Sequence, residues 1–365
     1  MSNSNERVMN GKAWEDFCDS LKEVGKIILR PEAPATVLDR AEGWRYLSRL
    51  VRLGLESKLE FADVDFPGFY TLSHETAKIG ADNPDNIYHN STIDGRNEYR
   101  IFGTRGAVPY ISWGTKSNKY TTDGTMTSTG EIDTSTLVVE PDGTFEIILS
   151  QEKKGKNWLP VKPESSMVLV RQTFLDRKKD KPATMKIERV GAAKAPSPLT
   201  ADELDSRLKE TAAFVLGTAR SFADFSRDFK KTPNTWSTAD QDTWWKIGGD
   251  PNIAYYHLYW ELKADEALVL ESPIPECYFW NVQVDNWWWE SLDYRYLPIH
   301  VNKTGARYEK DGTVRIVLAH SDPGVKNYLD TAGHTSGTML WRWIAAKSHP
   351  MPSLKVMKLS DVPKA

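Results

Sequence analysis

DGTFEIIL (Asp142–Leu149) returns 169 residues later as DGTVRIVL (Asp311–Leu318). In each copy an Asp-Gly pair opens a tight turn, and alternating apolar residues such as Phe145, Ile147 and Leu149 predict a strand with one buried face. The correspondence continues outward. Asn157-Trp158-Leu159 matches Asn327-Tyr328-Leu329 at offset 170, and MVLVRQTF (Met167–Phe174) matches TMLWRWI (Thr338–Ile344), pairing Arg171 with Arg342 at offset 171. Thr184-Met185-Lys186-Ile187 then matches Ser353-Leu354-Lys355-Val356, again at offset 169. Four matches in one order mark a duplicated domain. A long period with two copies is not a solenoid. The chain reads as mainly β with helical segments, built from two antiparallel β-sandwich units of jelly-roll-like outline.

The remaining segments set the boundaries. Trp14, Phe17, Leu21, Val24 and Ile28 keep helical spacing until Pro31 and Pro34, and Val37, Ala41, Trp44, Leu47 and Val51 form a second stripe. Thr200 and Glu203 make a capping-box pattern ahead of a stripe from Leu204 to Phe229. The expected organisation is a helical segment over 1–60, a first sandwich over 61–190, a linker and amphipathic helix over 191–232, and a second sandwich over 233–365.

Composition excludes several classes. The 365 residues hold 47 basic and 50 acidic side chains, a net charge of −3, without the basic excess of a nucleic-acid protein. The N-terminal stretch lacks the apolar core of a signal peptide, and the apolar runs are too short to span a bilayer. Two distant cysteines, Cys18 and Cys277, read as reduced, buried thiols. The expectation is a cytoplasmic protein with no nucleic-acid or membrane partner. No GxGxxG leading a helix, GxxxxGK[ST], GxSxG, HExxH or paired CxxC is present, so no cofactor and no metal are expected.

Tryptophan is in excess: ten of the 14 lie at or after Trp236, in the second copy or its approach. The run Asn286-Trp287-Trp288-Trp289 cannot bury three indoles on one side if it is extended, so at least one should be exposed or line a cleft. Trp280, Trp287 and Trp288 are candidates to stack on a substrate, with Asn281 nearby to bond its hydroxyl groups. The competing reading is an aromatic girdle packed on the helix before it. Arg171 and Arg342 share strand parity with apolar neighbours. They serve either as buried salt bridges or as forks for an anionic group. His257 and Tyr259 share a face opposite Leu258 and Trp260, an acid–base pair or a solvated face. Asp85, Tyr88 and His89 sit in an Asn/Asp-rich corner, which makes a turn whether or not it also makes a site.

That corner, NPDNIYHNSTIDG (Asn83–Gly95), resembles the N-x-D-T-x-Y corner of the bacterial domain of unknown function 1254, with Asn86 in place of the threonine. NWLP (Asn157–Pro160) and the second strand block resemble the companion domain of unknown function 1214; in the second block Tyr328-Leu329-Asp330 replaces Trp-Leu-Pro. The resemblance covers most of 40–360 and implies β-sandwich domains. It also implies, by association, a place in catabolism of hydrophobic or aromatic compounds.

These readings combine into an expectation. An enzyme without a redox cofactor, of hydrolase, lyase or isomerase type, acts on a hydroxylated, partly apolar small molecule. Asp85, Tyr88, His89, His257, Tyr259 and Asp285 supply acid–base groups, and Arg171, Trp280, Asn281, Trp287, Trp288 and Arg342 hold the substrate. At least three of these should then line one cavity between the blocks. The alternatives are a carbohydrate-binding protein with exposed, coplanar tryptophans, and a scaffold or homo-oligomer subunit whose aromatic patch is an interface.

Overall fold

The computed structural model describes residues 3–364. The first half carries β1 (Asn86–Thr92), β2 (Tyr99–Thr104), β3 (Tyr110–Lys119), β4 (Thr125–Asp133), β5 (Thr144–Ser150), β6 (Trp158–Pro160), β7 (Met167–Thr173) and β8 (Thr184–Arg189). The second carries β9 (Ile253–Glu261), β10 (Glu266–Ser272), β11 (Cys277–Asp285), β12 (His300–Asn302), β13 (Val314–Ala319), β14 (Tyr328–Asp330), β15 (Ser336–Ala346) and β16 (Ser353–Lys358). The first half forms sheets β1-β7-β3-β4 and β6-β5-β2-β8, and the second forms β9-β15-β11-β12 and β14-β13-β10-β16. Each strand of one half therefore has its counterpart eight strands on, in the same place in the equivalent sheet. Pairing is antiparallel except for β5–β6 and its counterpart β13–β14.

Alternation along the strands divides their side chains between two kinds of core. Val168 and Val170 of β7 join Ile101, Ile147 and Leu149 inside the first sandwich. Trp341 and Trp343 of β15 join Leu258, Trp260 and Trp280 inside the second. The opposite faces, with Leu340 and Ile344 of β15 and Ile253, Tyr255 and Tyr259 of β9, belong to a third cluster. That cluster lies between the halves and is shared with helices. Parity alone left Arg342 and its flanking tryptophans competing for one core; both faces of β15 are in fact buried.

The helices are α1 (Asn3–Met9), α2 (Lys12–Val24), α3 (Val37–Leu55), α4 (Ala201–Phe229) and α5 (Gln241–Lys246). The capping box at Thr200 and Glu203 starts α4, with Glu203 N–H donating to Thr200 Oγ1 at 3.2 Å. Leu50 and Leu53 of α3 and Phe214 and Phe222 of α4 pack in the shared cluster. Gly54 permits the close approach of α3 to α4: a Cβ there would lie 3.0 Å from Thr211 Cγ2. No helix among the described residues is long and apolar enough to cross a membrane. Both cysteines are free and half-buried rather than fully buried, because Cys18 lies on the surface helix α2 and Cys277 starts β11.

Candidate functional site

Two copies of one corner face each other across the gap between the halves. In the first, Asn83-Pro84 leads into β1. Asp85 N–H donates to Asn83 Oδ1 (2.9 Å), Asn86 N–H donates to Asn83 O (3.0 Å), and Asn83 N–H donates to the Tyr88 hydroxyl (2.9 Å). In the second, Asp250-Pro251 leads into β9. Asn252 N–H donates to Asp250 Oδ1 (2.9 Å), Ile253 N–H donates to Asp250 O (3.0 Å), and Asp250 N–H donates to the Tyr255 hydroxyl (2.8 Å). Each turn is a side-chain-capped Asx turn, a natural use of Asn and Asp before a strand. Each tyrosine then lies across its sheet from an arginine: Tyr88 pairs with Arg171, and Tyr255 with Arg342.

The arginines reach over to the opposite corner. Arg171 Nη2 donates to Gly248 O at 2.7 Å, and Arg342 Nη2 donates to Ala81 O. Gly248 and Ala81 hold equivalent places, 167 residues apart and two residues before each Asx. The contacts are reciprocal, as at a two-fold interface, although one chain makes both.

Between the corners is a cavity of about 160 Å³. Its apolar wall includes Met167, Leu169, Phe222, Trp244, Trp289 and Leu340, and its polar wall includes Asn83, Tyr88, Arg171, Tyr255, His257 and Arg342. His257 is enclosed by rings, 4.4 Å from Trp244 and 4.7 Å from Trp289 between centroids. Burial, with Arg342 nearby, drives its pKa far below the ordinary histidine value, so the imidazole is neutral. Burial likewise pushes the Tyr255 hydroxyl up to about 12, which keeps it a proton donor. Behind Arg171 lies a second charge pair. Fully buried Lys116 bonds Glu131 Oε1 at 2.5 Å, with burial lowering the lysine and raising the acid. Among the described residues no three of His, Cys, Asp and Glu are grouped to hold a metal.

Of the residues singled out from sequence, Tyr88, Arg171, His257 and Arg342 line this one cavity. The others do not. His89 follows Tyr88 and therefore points to the other face of β1, beside Gln172 (2.9 Å) and Phe69. Tyr259 shares the His257 face but lies further along β9, where its hydroxyl donates to Ser336 Oγ at 2.7 Å. Asp85 is buried beneath the corner. Asn281 and Asn302 amides donate to its carboxylate at 2.9 and 2.7 Å, and His300 is 3.4 Å away. Burial would raise its pKa, but His300 and these amides hold it below the ordinary value. Asn281 also donates to Asn83 Oδ1 at 2.6 Å and so braces the corner. Asp285 is behind Arg342, linked to it only through Gln283, and burial raises its pKa to about 8.

The tryptophans need the largest correction. Trp280 is on the sandwich side of β11, stacked on Trp341 with centroids 5.1 Å apart. Trp287, Trp288 and Trp289 are 1, 1 and 2% exposed, so none is at the surface. The segment is a turn, not an extended strand. Asn286 Oδ1 accepts from Trp288 N–H and Glu290 N–H (2.9 and 3.2 Å), and Trp289 takes a left-handed φ of 58°. The turn sends three indoles in three directions. Trp287 packs edge-on against Tyr259, Trp288 stacks on Tyr46 of α3, and Trp289 stacks on Phe222 and Phe229 of α4 at the cavity. The girdle against the helix is therefore what forms, and Trp280, Trp287 and Trp288 offer no open platform.

Sequence reasoning passed over Asp250, Tyr255 and Trp244; of the Trp287–Trp289 run, one of which was expected to be exposed or line a cleft, it is Trp289 that lines the cavity. The signal for the first two was present: Asn83-Pro84 followed by Tyr88 recurs as Asp250-Pro251 followed by Tyr255, at offset 167.

The family described as "Protein of unknown function (DUF1214)" matches residues 88–174. The match falls on the first strand block and includes Asn157–Pro160 but does not reach the second block. The likeness of Asn83–Gly95 to DUF1254 stays a resemblance. The crystal structure of an uncharacterised protein from Burkholderia cenocepacia is 49% identical, covers 98% of this chain and 99% of its own, and superposes with a TM-score of 0.96. A Vibrio parahaemolyticus protein is 12% identical over 87% of this chain and 98% of its own, with a TM-score of 0.48. No curated protein matches the chain.

Proposed function

This chain belongs to the DUF1214 family, and we propose that it binds a small, hydroxylated, partly apolar molecule between its two halves and acts on it by acid–base chemistry without a redox cofactor. The observation that carries this reading is the convergence of Tyr88, Arg171, His257 and Arg342 on one cavity walled elsewhere by rings and methionines. A small apolar enclosure with a few fixed polar groups is the common form of a small-molecule site. Its volume is about that of an engineered cavity, roughly 150 Å³, that admits benzene. The neutral imidazole of His257 accepts a proton from the ligand, the phenols of Tyr88 and Tyr255 donate one, and an arginine holds an anionic group.

The test uses the emission of Trp244 and Trp289, which line the cavity. Phenols and small hydroxylated aromatics are titrated into the purified protein, and bound compounds are followed for turnover. Binding should be lost when Leu340→Trp fills the cavity. Turnover, but not binding, should be lost in His257→Gln. If no compound quenches either indole, or quenching survives Leu340→Trp, the cavity is not the ligand site. If bound compounds stay unchanged, the site binds without catalysing.

A further inference from the structure

The two corners match in backbone and hydrogen bonding but differ in charge at one position. Where the second has Asp250, the first has Asn83. Arg171, reaching the second corner, finds a carboxylate: its Nη1 is 3.7 Å from Asp250 Oδ2, a charge contact in which neither atom has a hydrogen-bond partner, and Asp250 is fully buried. Arg342, reaching the first corner, finds an amide. Its hydrogen bonds run to Gln283 Oε1, Asn281 Oδ1 and Ala81 O, all neutral oxygens. No carboxylate among the described residues lies within 4.0 Å of it. The three nearby acids are engaged elsewhere: Asp82 accepts from Ser291, Asp85 holds His300, Asn281 and Asn302, and Asp285 lies beyond Gln283. Arg342 is nevertheless only 5% exposed and lines the cavity.

A buried guanidinium without a counter-ion is strongly disfavoured. In the wall of the same cavity, and bonded to the same Asn281, Asn83 is 3% exposed and its Nδ2 has no hydrogen-bond partner. One uncompensated positive charge and one idle amide donor face the same space. We infer that the ligand carries a single carboxylate, seated on Arg342 and Asn83, and that Arg171 is the structural member of the pair, closed by Asp250. One positive charge balances a monoanion rather than a phosphate dianion, and the planar fork suits a carboxylate. The two clamps are equivalent in position, and the difference between Asn83 and Asp250 leaves one of them open for a ligand.

The inference rests on the cavity being a ligand site, as proposed above, and the experiment separates the two. Benzoate and benzamide, phenylacetate and phenylacetamide, and 4-hydroxybenzoate and its amide are titrated by tryptophan quenching and thermal shift. The proteins are the native chain, Asn83→Asp, Arg342→Gln and Arg171→Gln. In the native chain each acid should bind at least tenfold more tightly than its amide. Asn83→Asp supplies the missing counter-ion, as Asp250 does for Arg171, so it should fold and lose that preference. Arg342→Gln should lose it as well. Equal affinity for acids and amides overturns the carboxylate assignment and leaves the cavity reading standing. Preference that survives Asn83→Asp but vanishes in Arg171→Gln places the anion on Arg171 and also overturns it. Failure of both members of every pair to bind removes both readings.

Discussion

At the scale of single residues, burial decides charge, and two histidines show it with opposite signs. His334 is clamped between Asp39 (Nδ1, 3.0 Å) and Glu42 (Nε2, 3.1 Å). Burial lowers its pKa, but the two acids outweigh that and raise it to about 9. A histidine raised above 6.5 stabilises the fold fully below pH 6.5, and that contribution disappears as pH climbs through about 9. It amounts to on the order of 3 kcal/mol. His334→Gln should therefore destabilise at pH 6.5 and flatten the alkaline limb of the stability curve, measured by guanidinium unfolding from pH 6 to 10. His257 behaves in reverse. Its native pKa lies far below 6.5, so the unfolded chain binds the proton first and stability falls as pH drops below about 6.5. His257→Phe should remove that acid limb. Arg171 answers to a third rule. Arg171→Met leaves Asp250 buried without a counter-ion and should cost about 3–5 kcal/mol, much of it restored by adding Asp250→Asn.

At the scale of elements, the Trp287–Trp289 turn joins sandwich, helices and cavity. Asn286 holds it from both ends of its amide: Oδ1 accepts from Trp288 and Glu290, and Nδ2 donates to Glu42 and Glu290 at 2.9 Å each. Glu290 is also the partner of Arg49 from α3, at 2.5 Å. Asn286→Ala would strand two backbone N–H groups and leave two acids unshared in the interior. It should lower stability by about 3 kcal/mol or more and expose indoles, visible as a red shift of tryptophan emission. By contrast Thr200→Ala removes only a cap on the exposed start of α4 and should cost about 1 kcal/mol, read by the same unfolding measurement. The strands and the α4 cap were legible because alternation and capping are local patterns. The turn was not: three indoles in a row carry no period, and the bend is set by the Asn286 amide, the Asn286–Glu290 backbone bond and the left-handed Trp289 together.

At the scale of the whole molecule, the duplication folds back on itself, so that equivalent strands β7 and β15 aim equivalent arginines at each other's corners. A ligand bound between them touches both halves. It should slow hydrogen exchange at 81–88 and 248–255 together, and protection of one corner alone would show that the halves respond separately. Sequence by itself determined the two copies, their strand content and the pairing of Arg171 with Arg342. These follow from alternation, turn dipeptides and internal repetition, which act over a few residues and survive in the chain as written. Only the tertiary structure decided which strand face meets which core. A strand buried on both sides reads the same from either parity, as Leu340, Trp341 and Arg342 did. Only it placed Trp280 in a sandwich and Trp289 at a cavity, because their partners come from helices and strands remote in sequence. The counter-ion followed the same logic. Asp250 closes the Arg171 clamp and Asn83 leaves the Arg342 clamp open, since charge balance is settled across the interface between halves.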